Sequence, residues 1–405
     1  MYPILTGVRV VECASFIAAP SCALHLRQLG ADVIRIDPIG GGMDFGRWPL
    51  SEGGHSLYWE GLQKGKRSVA LDLTRPEGRQ LAVELITAPG ADAGLFVTNY
   101  PSEGFLGHAA LSRVRPDLVT LRVLGWRDGG AGVDYTVNAA LGLPQMTGPL
   151  DGEPVNHVLP AWDLLTGAYG AFALLAAERH RTRTGQGQEV TVPLSDVALA
   201  SLGHMGQVAE ALTSGDRPRY GNALFGAFGR DFVTADGQRV MAVAITGRQW
   251  TNLVKSLALT AAVQALQGRL GVDFTADEGL RFVHRDALFP LFEAAIGRLS
   301  LADVKERFER QGVLWSTYQS LRTALEHDPR LAPTAPLFTP LDHPSGLHYP
   351  APGAAATFHA GERGPAEPAP RLGEHTDQVL SEVLSLSSAR IGELHDAGLI
   401  ASSSS

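Results

Sequence analysis

Asp163 stands in Leu159-Pro160-Ala161-Trp162-Asp163, directly ahead of a long run of small and apolar residues. A carboxylate at such a place can cap the free N–H groups of a helix start. It can also attack an activated acyl carbon, such as that of a thioester, if the carbon is held against it and water is kept away. The start of a helix favours the negative charge that such an attack builds on the acyl oxygen. Lys64-Gly65-Lys66-Arg67 is the second candidate: three cations just before a β-branched run that ends in Leu71-Asp72, suited to phosphates or to a solvated turn. Other chemistries lack their motifs. Gly-x-Ser-x-Gly and His-Glu-x-x-His do not occur, and the 13 histidines are dispersed, with His25, His180 and His204 on helix-like segments as fillers. Cys13 and Cys22 form no CxxC pair and read as reduced, buried thiols, so no metal site is expected.

The elements around these residues alternate. A β-branched run at 8–12, a helix over 20–30 with Pro20 near its start and Gly30 at its end, and a second run at 33–37 make a βαβ unit. Further runs at 68–73, 94–98 and 118–124 are separated by helical patterns near 76–87 and 109–113. Such alternation predicts a mostly parallel sheet with helices on its faces. Asp37 ends the second run where dinucleotide-binding folds place a ribose-binding acid. The first turn, Cys13-Ala14-Ser15-Phe16-Ile17-Ala18-Ala19-Pro20, lacks the glycines that let backbone close on pyrophosphate, so a dinucleotide cofactor is not expected. The Ala-, Leu- and Gly-rich stretch 164–180 predicts a buried helix that leaves through Thr184-Gly185-Gln186-Gly187-Gln188 into a strand at 189–192.

The texture changes after 218, with a hairpin around Ala235-Asp236-Gly237 followed by amphipathic helices. The Pro-rich stretch 329–370 is too long for an ordinary connection and reads as an extended return over the first body, with short surface helices over 377–399. The expected division is a large domain beginning with 1–195, a linker helix at 196–217, a small domain at 218–325, and a return linker with the rest of the large domain at 326–405. At 405 residues two such bodies are the natural prior. A net charge of −8 with scattered acidic residues gives no footprint for nucleic acid or anionic membrane. With no membrane-spanning run and no signal peptide recognisable, a cytoplasmic location is expected, and the serine run at 402–405 reads as a loose end.

Taken in order, the segments resemble the class III CoA transferases, the formyl-CoA transferase and carnitine CoA-transferase family. They are Gly7-Val8-Arg9-Val10-Val11-Glu12, Leu29-Gly30-Ala31-Asp32-Val33-Ile34-Arg35-Ile36-Asp37-Pro38, Lys64 to Leu73, Thr98-Asn99-Tyr100, Asp163 before its Gly167/Gly170 helix, Gly185-Gln186-Gly187-Gln188, and Pro370-Arg371-Leu372-Gly373-Glu374-His375-Thr376. The resemblance implies a Rossmann-like large α/β domain with a parallel sheet, a smaller α+β domain, and a homodimer of interlocked rings. It implies no resident cofactor, since CoA is part of a thioester substrate. Asp163 matches the family's nucleophile. Ser15, Phe16 and Ile17 match the turn lining the thioester, and Leu71, Asp72, Asn99 and Tyr100 match segments holding the adenine and pantetheine parts. Pro38 stands where several relatives carry a phosphate-binding arginine, and a second such arginine after Asn99-Tyr100 is missing. Lys64, Lys66 and Arg67 are the expected substitutes.

A narrower likeness, to members that move CoA between the two carboxylates of one dicarboxylic acid, rests on Asp37-Pro38-Ile39-Gly40-Gly41-Gly42, Arg47-Trp48-Pro49, Val133-Asp134-Tyr135-Thr136-Val137-Asn138, Val155-Asn156-His157 through Asp163, and Phe225 to Phe232. It makes Arg47 and Arg230 candidates for the substrate's free carboxylate, or else structural ion pairs, and Asn156 and His157 candidates for hydrogen bonds to it. The alternatives are an intermolecular CoA transferase, an acyl-CoA racemase, for which 129–135 lacks the needed histidine, and a CoA-binding protein without catalysis, against which Asp163 argues.

Overall fold

In the computed structural model, which describes residues 1–403, the chain forms two compact units. The larger holds Met1–Leu141, His157–Thr213 and the stretch from Pro333 onward; the smaller holds Gly142–Asn156 and Ser214–Ala332. The segment Gly142–Asn156, which the sequence reading kept with the N-terminal body, therefore belongs with the smaller unit: Val155 N–H donates to Pro144 O (3.3 Å) and Gly221 N–H to Gly148 O (3.2 Å). Of the serine run read as a loose end, Ser404 and Ser405 lie outside the described residues. No helix among the described residues is long and apolar enough to cross a membrane.

The strands in chain order are β1 (Arg9–Cys13), β2 (Asp32–Pro38), β3 (Arg67–Leu71), β4 (Leu95–Thr98), β5 (Val119–Leu124), β6 (Gln188–Pro193), β7 (Phe228–Val233), β8 (Arg239–Ala244), β9 (Leu314–Thr317), β10 (Phe338–Asp342), β11 (His348–Pro352) and β12 (Ile400–Ala401). The large sheet runs β12-β3-β2-β1-β4-β5-β6, parallel except for β12, which pairs antiparallel with β3. This is the Rossmann strand order with an added edge. The order reverses between β1 and β4, so the crevice for ligands opens at the carboxyl ends of those two strands.

Both faces of this sheet are covered, as a parallel sheet requires. On one face Val10, Leu95, Leu121 and Val192 pack with Cys22 of the helix Ala18–Gln28, Leu174 of Ala161–Thr184 and Ala198 of Leu194–His204. On the other, Val11, Ile36 and Val69 pack with Leu81 and Leu85 of Pro76–Thr87 and with Val379 and Leu394 of the last two helices, Thr376–Leu384 and Ser388–Asp396. The helix Ala161–Thr184 can lie close along Ala18–Gln28 because Gly167 has no side chain; a Cβ there would meet Ser21 Oγ at 1.8 Å. That contact aligns the two helix starts at the crevice end of the sheet. The return stretch is anchored to the same unit, with Trp59 Nε1 donating to Pro370 O (2.8 Å) and Tyr349 OH to Glu60 Oε2 (2.6 Å).

The smaller unit is α+β. Its antiparallel sheet β7-β8-β9 carries Phe228 and Phe232 into a core with Trp250, Phe289 and Phe292. Its helices Gly247–Ser256 and Leu301–Gln311 start with the reciprocal capping pairs Thr246/Gln249 and Ser300/Asp303.

Candidate active site

The turn after β1 is fixed by side chains from two other segments. Ser15 N–H donates to Asn99 Oδ1 (3.0 Å) and Asn99 Nδ2 donates back to Ser15 O (2.8 Å), so Asn99 ties the ends of β1 and β4 together at the strand-order reversal. Phe16 takes a left-handed backbone (φ 67°) and donates its N–H to Asp44 Oδ1 (2.8 Å). Asp44 belongs to a buried ionic group: Arg35 donates to Asp44 (3.2 Å), Asp37 (2.8 Å) and Glu12 (2.5 Å), and Lys66 donates to Glu12 (2.7 Å). Burial pushes the Asp37 and Asp44 carboxyls above their ordinary range, while Arg35 pulls them back. Asp37 also accepts from Ser68 Oγ (2.8 Å), so it is enclosed and presents nothing to a ribose.

Asp163 is the third residue of the helix Ala161–Thr184, not its cap. The capping carboxylate comes from elsewhere: Asp134 Oδ2 accepts from the backbone N–H of Trp162 (2.7 Å) and of Asp163 (3.1 Å). Asp134 opens the short helix Asp134–Ala140, whose Asn138 accepts from Trp162 Nε1 (3.0 Å). The Asp163 carboxyl is pushed up to about 7, first by burial and then by the Asp134 charge, with Arg47 pulling the other way. Arg47 lies over the rings of Phe16 (5.1 Å) and Tyr58 (5.4 Å), and its guanidinium pairs with no carboxylate among the described residues. Tyr58 Oη is buried without a hydrogen-bond partner, and burial raises its phenol. Asp163, Arg47, Tyr58 and Phe16 thus form one cluster at the carboxyl end of β1: a carboxyl ionising near neutrality, an unpaired cation and an unsatisfied phenol. Tyr58, Asp44 and Asp134 were not singled out by sequence reasoning. Of the three, only Asp134 lies within a family-like segment, Val133-Asp134-Tyr135-Thr136-Val137-Asn138.

The expected CoA-contact residues divide by sheet edge. Ile17 precedes the helix Ala18–Gln28, Leu71 closes β3, and Tyr100 follows β4, all at the carboxyl edge with Ser15, Phe16 and Asn99. Asp72 is there too, accepting from Thr74 N–H (3.0 Å) and Oγ1 (2.6 Å), contacts that hold its carboxyl below the usual range. Lys64, Lys66 and Arg67 are not. Arg67 begins β3, so this cluster is at the amino edge, about 15 Å away along a five-residue strand. Lys66 is enclosed by Glu12, Gln63 and the Pro20 carbonyl, and Arg67 pairs with Asp32 and with Glu382 (2.7 Å). Lys64 donates to Gly61 O, and burial lowers its ammonium to about 8. The reading of these three as phosphate contacts therefore meets a geometric objection: each faces away from the crevice or is already paired. Arg75 and Arg79, just after β3, are basic groups at the carboxyl edge, Arg75 half-buried and donating to Ala397 O (2.7 Å), Arg79 exposed and donating to Leu73 O (2.8 Å) and Thr74 O (3.1 Å).

Arg230 and Asn156 belong to the smaller unit, where Arg230 pairs with Glu293 (2.9 Å) and lies over Phe289 (4.9 Å). His157 Nε2 meets Asp134 Oδ1 (2.5 Å). Cys13 and Cys22 are free and buried, the Cys13 thiol pushed up to about 12 by burial.

Comparison with known proteins gives one consistent picture. The family described as CoA-transferase family III matches residues 5–376. The 2-methylfumaryl-CoA isomerase of Chloroflexus aurantiacus is 51% identical over 404 residues, covering 99% of this chain and 98% of that protein. The human succinyl-CoA:glutarate CoA-transferase is 26% identical, covering 98% of this chain and 90% of its own. A CAIB/BAIF family protein from Brucella suis has the same fold, with a TM-score of 0.76 at 24% identity over 94% of this chain and 99% of that one.

Proposed function

Because the chain belongs to CoA-transferase family III, we propose that it moves CoA between the two carboxylates of mesaconate, converting 2-methylfumaryl-CoA to 3-methylfumaryl-CoA with Asp163 as nucleophile. The observation that carries this reading is the Asp163 carboxyl, half-buried in the first turn of a helix, ionising near neutrality and facing Arg47, which pairs with no carboxylate among the described residues. The Asp163 carboxylate attacks the thioester carbonyl, the C–S bond breaks, and a mixed anhydride forms with CoA thiolate as leaving group. The thiolate then attacks the aspartyl carbonyl of the anhydride, giving aspartyl-CoA and free dicarboxylate. The dicarboxylate's other carboxylate attacks aspartyl-CoA, releasing thiolate and forming the second anhydride. Thiolate attack on its acyl carbon gives the regioisomer and restores Asp163. Arg47 holds the carboxylate not engaged in each step, and Tyr58 donates its free O–H to the same group. The CoA phosphates are met by Arg75 and Arg79 at the carboxyl edge in place of Lys64, Lys66 and Arg67. CoA arrives and leaves with the substrate.

The working molecule in this reading is a homodimer of interlocked copies. Leu165, Tyr169 and Phe172 (67% exposed) on the helix Ala161–Thr184, Leu199 on Leu194–His204 and Leu212 on Gln207–Thr213, with Val158 (95%) and Met205 just outside these helices, are large apolar side chains left in water, which a second copy would cover. We place the reaction in the cytoplasm, where two unpaired buried thiols persist, and within the 3-hydroxypropionate carbon-fixation cycle.

The test supplies 2-methylfumaryl-CoA together with labelled free mesaconate and follows both regioisomers by chromatography and mass spectrometry. Conversion without label uptake, abolished in Asp163→Ala, is the expected result. Conversion only when a free acid acceptor is supplied makes the enzyme an intermolecular transferase, and full activity in Asp163→Ala overturns the mechanism.

A further inference from the structure

The first four N–H groups of a helix have no partner within it, and the commonest remedy is a side chain from the residue just before. Here that residue is Pro160, which offers none. The donors at the second and third positions, Trp162 and Asp163, are instead taken by Asp134 Oδ2, from a segment nearly thirty residues earlier in the chain. Asp134 is almost fully enclosed, with 1% of its surface exposed, and its other oxygen is held by His157 Nε2. Two more contacts clamp the same pair of segments: Tyr135 OH donates to Val158 O (3.4 Å), and Trp162 Nε1 to Asn138 Oδ1 (3.0 Å).

We propose that Asp134, held by His157, is a positioning residue that fixes the direction of Asp163 and keeps its carboxylate basic enough to attack a thioester. The proposal rests on the reading of Asp163 as nucleophile. Its physics is a competition for one helix end. Free N–H groups at a helix start stabilise a nearby anion and so make it a weaker base. Asp134 occupies those donors and sets a second negative charge beside Asp163, and a like charge disfavours ionisation. The charged and titratable groups acting on Asp163 are Asp134 on the helix Asp134–Ala140, Arg47 in the loop after β2 and Tyr58 on the helix Leu57–Leu62, while His157 and Tyr135 stand behind Asp134. The first turn of the neighbouring helix, Ala18-Ala19-Pro20-Ser21, contributes no titratable group. His157 binds Asp134 rather than Asp163, so it acts on the nucleophile through the cap.

Two variants of the full chain separate this role from simple support. Asp134→Asn keeps an oxygen for the two N–H donors and removes the charge. His157→Phe keeps an aromatic ring beside Tyr135 and Trp162 and removes the donor to Asp134. The measurement is the pH profile of kcat/KM for 2-methylfumaryl-CoA, with thermal unfolding as a check on the fold. The acidic limb is expected to move down by about one pH unit in Asp134→Asn, with a lower plateau in kcat and little change in KM, and to move up in His157→Phe. A limb that stays put in both, or moves the same way in both, overturns the proposal. Should Asp134→Asn fail to fold, the direction of the His157→Phe shift decides alone. Loss of the nucleophile reading shows differently, as retained activity in Asp163→Ala.

Discussion

Asp163 combines a need for charge with an environment that resists it. Its ordinary value is 3.8 and its folded value about 7, so ionisation costs the fold nothing well below pH 4, an increasing amount between those values, and the full amount above 7. Asp163→Asn should therefore be more stable than the native protein at pH 8, by about 1–3 kcal/mol, with the gain closing as pH falls toward 4. Thermal denaturation at pH 5 and pH 8 reads this directly. Arg47→Gln should raise KM for the dicarboxylic thioester roughly 10- to 100-fold, as loss of a charge-assisted pair predicts, and leave thioesters without a second carboxylate unaffected. Both residues were legible from their positions in the chain. The origin of the helix cap was not, because sequence shows that an acid stands near a helix start and not which of two acids, 29 residues apart, turns toward the free N–H groups. The Lys64, Lys66 and Arg67 cluster misled for a related reason. Composition announces three cations, while their edge of the sheet and the hidden partners Glu12, Asp32 and Glu382 appear only once β3 has a direction.

The elements show how the site is held. The helix pair Ala18–Gln28 and Ala161–Thr184 depends on Gly167, where an added Cβ would also stand 2.8 Å from Ala18 O. Gly167→Ala should destabilise by about 1–3 kcal/mol and lower kcat by displacing the first turn that carries Asp163, and Ser21→Ala should restore part of both losses. Urea unfolding and steady-state rates of the two single variants and the double variant test it. Under β1 and β2, Lys66→Met should cost about 3–5 kcal/mol in urea unfolding, since it leaves Glu12 buried with one partner fewer. The strands of the βαβ half could be read from their β-branched runs. β12 could not, since two residues carry no period, and the helix Leu57–Leu62 is too short to show one.

At the scale of the molecule, the apolar surface on Ala161–Thr184, Leu194–His204 and Gln207–Thr213 sets the expectation for assembly. Phe172→Glu should convert dimer to monomer or aggregate in analytical ultracentrifugation, and an unchanged dimer would place the interface elsewhere. The large unit is also assembled from separated stretches of chain. Ribosomal synthesis proceeds from the amino end, so the long stretch of the smaller unit, Ser214–Ala332, emerges before the segments that complete the larger one. Until Ile400 and Ala401 arrive to pair with Leu71 and Ala70, the nascent sheet carries a bare β3 edge, the kind of edge that recruits other chains. The amino terminus waits as well, because Met1 is received by the carbonyls of Gly364 and Pro365. A message truncated in its last tenth thus yields a chain with every residue of the Asp163 cluster and an unsealed sheet, a product for the cell's quality control rather than a slower enzyme.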